Sequence, residues 1–117
     1  MLTMACCDPA AGLMAAEYAR VAGFRLLVFP RSGSAALELL RQRLVHVAGL
    51  HRSTAEHPDR NVETVRTETL DLCFPAEVQR DRRIQALIRV LRSRAYRRLV
   101  SELPGYDGRY TGDMATV

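Results

Sequence analysis

The sequence predicts an α/β fold with a parallel sheet, and two observations support that prediction. Short, compact apolar runs alternate with longer segments in which apolar residues recur at helical spacing. The resulting order of strand, helix, strand, helix, strand is that of two consecutive βαβ units, whose strands are parallel. The 117 residues fit one domain spanning residues 1–117, and the 48% hydrophobic content suffices for a buried core.

The first half of the chain contains the two βαβ units. Three apolar runs are predicted strands: residues 2–7, 24–29 and 45–50. Asp8 and Pro9 suit the N-cap and first position of a helix that extends to Gly23, where glycine favours helix termination. The turn at residues 31–34 then leads into a second helix, whose apolar residues continue to Leu44.

The second half predicts a returning strand followed by helices. Residues 51–61 are polar and predict a loop, while residues 62–67 fit either a short helix or an extended segment. A fourth strand at residues 70–74 ends at Pro75. Residues 80–91 then form an amphipathic helix with apolar positions at i, i+3, i+4 and i+7: Ile84, Leu87, Ile88 and Leu91.

A further helix and a tail complete the chain. Ser93 suits the N-cap of this helix, and Pro104 followed by Gly105 stops it. One apolar stripe lies along it: Tyr96, Leu99, Val100 and Leu103. The tail at residues 106–117 is rich in small and polar residues, which predicts irregular structure.

Composition and motifs favour a binding protein over an enzyme. No apolar run approaches the roughly 20 residues that a membrane-spanning helix needs, and residues 1–7 lack the features of a secretory signal. Two residue types lack metal-ligand spacing: the cysteines Cys6, Cys7 and Cys73, and the histidines His46, His51 and His57. Reduced thiols are typical of a cytoplasmic protein. Because Walker loops, nucleophile elbows and GxGxxG motifs are absent, we expect no catalysis, resident metal or cofactor.

The net charge is +4, and arginine supplies all of the basic side chains that contribute to it, because the chain contains no lysine. Eight of the arginines lie between Arg80 and Arg98. Such a cluster fits either the solvated face of a helix or a surface for nucleic acid or an acidic partner. The sequence leaves these alternatives open.

Three strand-to-helix junctions suggest where a ligand would bind. In a parallel sheet, ligands bind at the carboxyl ends of the strands. Cys7 and Asp8 follow the first predicted strand, the Ser32-Gly33-Ser34 turn follows the second, and His51 follows the third. Small residues expose backbone N–H groups, serines add hydroxyl donors, and a helix N-terminus favours an anion. These features predict a small-anion site, although both serines, like Asp8, also serve as helix caps.

An ordered series of motifs resembles the first lobe of the PBP-like (type II periplasmic-binding-protein) substrate-binding domains, which in bacteria are often fused to helix-turn-helix or molybdate-responsive regulators. The motifs are Ala5-Cys6-Cys7-Asp8-Pro9-Ala10, Ser32-Gly33-Ser34, Val45-His46-Val47-Ala48-Gly49-Leu50-His51, Leu70-Asp71-Leu72, Leu91-Arg92-Ser93, Leu103-Pro104-Gly105-Tyr106-Asp107 and Thr111-Gly112. They extend from one end of the chain to the other. In that family a second lobe lies between the third strand and the segment resembling residues 70–74, where this chain has only about twenty residues.

The resemblance implies a fold, a ligand and a set of contacts. The fold would be one lobe, a three-layer αβα sandwich with strand order 2-1-3 plus a returning strand. The ligand would be molybdate, tungstate or a similar oxyanion, held by the three junctions: Cys7, Asp8, Ser32, Gly33, Ser34 and His51. Since one lobe supplies only half a cleft, we expect a homodimer to restore the other half. The alternative is an interaction or regulatory domain that kept the fold, lost the ligand and binds protein or nucleic acid.

Overall fold

The four strands in the described part of the chain form one open, mostly parallel sheet. The computed structural model describes residues 1–55, 66–106 and 111–114. The strands are β1 (Leu2–Ala5), β2 (Leu26–Phe29), β3 (Val47–Ala55) and β4 (Arg66–Cys73). Their order is β2-β1-β3-β4, with β1 parallel to both β2 and β3, and β4 antiparallel to β3. The predicted α/β class is confirmed, and the sheet has the expected 2-1-3 order with a returning strand.

Helices cover both faces of this sheet. The helices are α1 (Ala10–Ala22), α2 (Gly33–Arg41), α3 (Arg82–Arg92) and α4 (Arg94–Glu102), with a 3-10 turn at Ala76–Val78. Leu2 and Met4 of β1 are buried in a core shared with α1, α3 and α4. Ala5 faces the other way and packs with Ala36 and Leu40 of α2. The alternation of side chains along a strand therefore produces a three-layer arrangement.

Local signals define several helix ends, although α1 begins at Ala10 with Pro9, and not the predicted Asp8, at its N-cap. Gly23 ends α1 with φ of 72°, a left-handed conformation that glycine adopts without a steric penalty. Ser93 accepts a hydrogen bond from the amide of Tyr96 at 3.1 Å, so the predicted cap of α4 is confirmed. Asp81 caps α3 in the same way through the amide of Arg83, and α3 therefore begins at residue 82. The second helix ends at Arg41 and not at residue 44.

The predicted loop at residues 51–61 is wrong for its first part. Residues 51–55 continue β3, and β4 begins at Arg66, four residues before the predicted start. The two strands pair from Ala48↔Cys73 to Ala55↔Arg66. This pairing satisfies the backbone N–H and C=O groups, so a polar sequence forms a strand despite its composition. The predictions for residues 56–65, 107–110 and 115–117 lie outside the described residues.

The ends of the first two strands also differ slightly from the sequence prediction. Cys6 and Cys7 lie beyond β1, and Phe24 precedes β2. The amide of Cys6 still donates a hydrogen bond to the carbonyl of Phe29 at 2.9 Å, so the pairing with β2 continues one residue past the end of β1. In the described ranges, no helix combines the length and apolar character needed to cross a membrane.

Candidate functional site

The three predicted junctions meet at the carboxyl edge of the sheet. The imidazole Nε2 of His51, on β3, lies 2.7 Å from Oδ2 of Asp8, which follows β1. A Cβ on Gly33 would lie 3.6 Å from Cδ2 of Leu50, so the start of α2 packs against β3. Leu50 and His51 are consecutive residues of β3, so their side chains point to opposite faces of the sheet, and β3 contacts the second and first junctions on different faces.

Asp8 is the centre of this arrangement. Its Oδ1 accepts hydrogen bonds from the amide of Ala10 at 2.7 Å and from the hydroxyl of Tyr106 at 2.8 Å. Its Oδ2 accepts from His51, and only 9% of the Asp8 side chain is exposed. Three donors therefore surround one nearly buried carboxylate.

These contacts set the charge state of the cluster. Burial alone would raise the pKa of the Asp8 carboxyl, but the hydrogen bonds from Ala10, Tyr106 and His51 outweigh it and lower that pKa. Asp8 is therefore ionised at neutral pH, and Nε2 of His51 must carry the hydrogen that it donates. Burial and the bond to Asp8 raise the pKa of Tyr106 to about 12, which keeps its hydroxyl protonated as a donor.

The N-terminus of α1 is occupied by the chain itself. The amide of Ala10 donates to the Asp8 carboxylate, and the amide of Ala11 donates to the Asp8 carbonyl at 3.0 Å. Gly12 donates to the Pro9 carbonyl at 3.3 Å, and Pro9 has no N–H. The first junction thus supplies a fixed acidic group, while its helix amides are already used.

The N-terminus of α2 is different. Ser32 accepts a hydrogen bond from the amide of Ala35 at 3.4 Å, and its Oγ lies 3.4 Å from Oγ of Ser34. Both serines are exposed. The amides of Gly33 and Ser34 make no hydrogen bond to any described residue, as is usual in the first turn of a helix. Two amides without a described partner and two hydroxyls that contact each other therefore lie together at the second junction.

Cys6 and Cys7 have different environments. Cys6 is buried, and its Sγ accepts a hydrogen bond from the amide of Asp8 at 3.4 Å. Burial, the largest influence, raises the pKa of this thiol. A Cβ on Gly49 would lie 2.5 Å from this sulfur, so only glycine lets β3 approach Cys6 this closely. Cys7 is exposed at the same edge.

Two tyrosines of the cluster were not identified from the sequence. Tyr106 was assigned to the irregular tail, yet Gly105, at φ of 81°, turns the chain so that the Tyr106 hydroxyl reaches Asp8. Tyr96 was assigned only to the apolar stripe of α4, but burial and then the charge of Asp8 raise its pKa to about 12. The Pro104-Gly105 stop was the only local signal for Tyr106, and it did not indicate a contact with a residue 98 positions away.

The two histidines that the structure describes lie in different environments. His46 accepts a hydrogen bond from the amide of Thr3 at 2.9 Å, His51 contacts Asp8, and His57 lies outside the described residues. Among the residues that the structure describes, no group of three or more His, Cys, Asp and Glu side chains could hold a metal ion. The chain matches no protein-family model, and no curated protein or solved structure matches it.

Proposed function

We propose that this chain is a small-anion-binding module whose ligand, molybdate, tungstate or a similar oxyanion, binds at the carboxyl edge of the sheet. The observation that carries the proposal is the 2.7 Å contact between His51 and Asp8, which joins the third junction to the first. It places an imidazole on the same edge as the open N-terminus of α2.

The donors at this edge suit a tetrahedral oxyanion. Ser32 and Ser34 supply hydroxyls, and Gly33 and Ser34 supply amides at the positive end of a helix dipole. The negative charge of Asp8 would oppose an anion if it faced the ligand. Its carboxylate instead accepts from His51, Tyr106 and Ala10, so Asp8 acts as a positioning residue for His51.

The shape of the sheet supports the resemblance to one lobe of a type II periplasmic-binding-protein fold. β3 pairs with β1 at only two positions, Met4↔Val47 and Ala5↔Ala48. From Ala48 onward it pairs with β4, and the two strands continue together as an antiparallel ribbon. The second lobe of that family would be inserted between these two strands.

A second copy of this chain completes the proposed site. Ser32, Ser34 and His51 are exposed, whereas ligands in proteins are normally mostly buried. A symmetric pair with both carboxyl edges facing each other would enclose the ligand between two sets of donors.

Thermal unfolding with added oxyanions tests the proposal. The wild-type chain is heated with molybdate, tungstate, sulfate or phosphate at matched ionic strength. A ligand at one hundred times its Kd adds about 2.7 kcal/mol to the free energy of unfolding, and the Tm rises. We expect a rise with molybdate or tungstate, and a smaller rise for Ser34→Ala, because a donor is lost.

Ser101→Ala is the matched control. Ser101 is also exposed on a helix, but its hydroxyl donates to the carbonyl of Arg98 on α4. This variant should keep the full ligand-induced rise in Tm. If millimolar oxyanion does not change the Tm of the wild-type protein, the oxyanion proposal is wrong, and an interaction domain is the better explanation.

A further inference from the structure

Positive charge is concentrated in one short segment. Residues 80–98 contain eight arginines and one acidic residue, Asp81, which gives this segment a net charge of +7. The other 98 residues contain nine arginines and twelve acidic residues, a net charge of −3. This segment comprises α3 and the start of α4, so the charge asymmetry of the sequence becomes an asymmetry of the surface.

Three of the four arginines of α3 lie along one face of the helix. Arg82, Gln85, Arg89 and Arg92 follow one another at i, i+3, i+7 and i+10. The opposite face is buried against the core: Ile84, Leu87 and Ile88. Arg80 precedes the helix and is exposed, as are Arg82, Arg89 and Arg92. We define Arg80, Arg82, Arg89 and Arg92 as the α3 arginine surface.

The arginines of this surface are not neutralised by any acidic side chain among the described residues. Arg80, Arg82 and Arg89 form no ion pair or side-chain hydrogen bond with any residue that the structure describes. Arg92 donates Nε to the carbonyl of Gly112 at 3.0 Å, which fixes the side chain without neutralising it. Arg83, by contrast, is paired with Asp81 at 2.8 Å and lies outside the surface.

The composition of this face favours nucleic acid over an acidic protein as partner. Protein interfaces have an apolar centre with a polar rim. The large hydrophobic residues exposed in the described ranges lie elsewhere: Met1, Val21, Leu27, Leu44 and Met114. A nucleic-acid backbone requires no apolar centre, because guanidinium groups bind its phosphates directly.

A cleft lies beside one end of the surface. It has a volume of about 460 Å³ and is lined by Phe24, Arg80, Asp81, Arg82 and Arg83. Arg83 donates to the carbonyl of Met1 at 2.8 Å, so this cleft lies at the amino edge of the sheet. The candidate anion site lies at the opposite, carboxyl edge.

We propose that the α3 arginine surface binds the phosphate backbone of nucleic acid without sequence preference. Binding depends on the number of phosphates that the arginines contact, and each contact displaces condensed counterions. The affinity therefore falls steeply with salt. This surface is independent of the proposed anion site, so either proposal stands if the other fails.

Fluorescence anisotropy with a labelled duplex DNA of about 30 base pairs and mixed sequence tests the inference, over salt from about 50 to 200 mM. The variant R82Q/R89Q removes two exposed charges from the α3 arginine surface. The control R41Q/R43Q removes two exposed arginines from the region of α2, on the other face of the sheet. Both variants carry the same net charge.

We expect R82Q/R89Q to weaken binding at least tenfold at low salt, while the control stays within about threefold. The slope of log K against log salt should become less negative by about 1.8 in R82Q/R89Q, since each phosphate contact contributes about −0.9. Equal weakening by both variants, or no binding by the wild-type protein at low salt, would overturn the proposal. Displacement of the DNA by polyglutamate at equal charge concentration would also overturn it, in favour of an acidic protein partner.

Discussion

At the residue scale, the side chain of His46 accepts a hydrogen bond from a main-chain amide at the end of the sheet, where a backbone carbonyl is the usual acceptor. Its Nδ1 lies 2.9 Å from the amide of Thr3, which donates to it. The imidazole accepts this hydrogen bond only when Nδ1 carries no proton. Burial lowers the pKa of His46, and the nearby Arg83 lowers it further, while Asp81 acts in the opposite direction. The neutral ring is therefore part of the folded structure.

This arrangement makes the stability pH-dependent. The pKa of His46 in the folded chain is below its ordinary value of 6.5. Between the two pKa values the unfolded chain binds more protons, so the free energy of unfolding decreases as the pH falls below about 6.5. It levels off below the folded pKa. Urea unfolding from about pH 8 to pH 5 measures this change, and His46→Gln should reduce it. A wild-type stability that does not fall across this range would contradict the interpretation.

At the element scale, the close approach of β1 and β3 determines the geometry of the carboxyl edge. Gly49 of β3 lies against Cys6 at the end of β1. Two residues further along β3, His51 contacts Asp8, two residues beyond Cys6. The spacing of the strands and the His51–Asp8 contact therefore depend on the same glycine.

Gly49→Ala should destabilise the chain and disturb the site. The added Cβ would lie 2.5 Å from Sγ and 2.9 Å from Cβ of Cys6, so the strands must shift. Overpacking of this kind costs about 1–3 kcal/mol, measured as a loss in the free energy of unfolding in urea. The oxyanion-induced rise in Tm should also decrease, because His51 moves relative to Asp8.

Gly12→Ala is the matched control for this substitution. A Cβ on Gly12 meets nothing within 4 Å, and Gly12 lies inside α1. Alanine there should stabilise the helix by about 0.5–1 kcal/mol. Removing the sulfur in Cys6→Ala/Gly49→Ala should recover part of the lost stability. An unchanged stability of Gly49→Ala would show that the strands tolerate a wider spacing.

At the scale of the whole molecule, the two edges of the sheet carry different chemistry. The carboxyl edge has hydroxyls, amides and the Asp8–His51 pair, all at the ends of parallel strands. The amino edge has the cleft beside Phe24 and one end of the α3 arginine surface. Because the edges are separated by the core, ligands at the two places would not compete directly.

The proposed pairing of two copies gives a prediction at this scale. Light scattering after size exclusion should show a dimer whose fraction increases when molybdate or tungstate is added, because the ligand binds the closed pair more tightly. Ser34→Ala should reduce this increase, whereas Ser101→Ala should not. A monomer at all accessible concentrations, with and without these oxyanions, would exclude a shared site.

Structural features that neighbouring residues specify were predicted better than features that depend on residues distant in the sequence. Ser93 and Gly23 were predicted correctly as helix boundaries, because the signal and its effect lie within a few residues. The extension of β3 was not predicted, since it depends on pairing with β4 and not on its own polar composition. Convergence of Asp8, Ser32 and His51 on one edge followed from the rule for parallel sheets. The Tyr106 contact was missed, because nothing near Tyr106 specifies a partner in the first turn.

The contact between Tyr106 and Asp8 joins two residues that lie far apart in the sequence. The His51–Asp8 contact spans 43 positions and the Tyr106–Asp8 contact spans 98, so the second closes a longer loop at a higher entropic cost. We therefore expect the Tyr106–Asp8 contact to form later in folding than the His51–Asp8 contact. The set of donors around Asp8 is then complete only once the segment that follows α4 packs against the first junction.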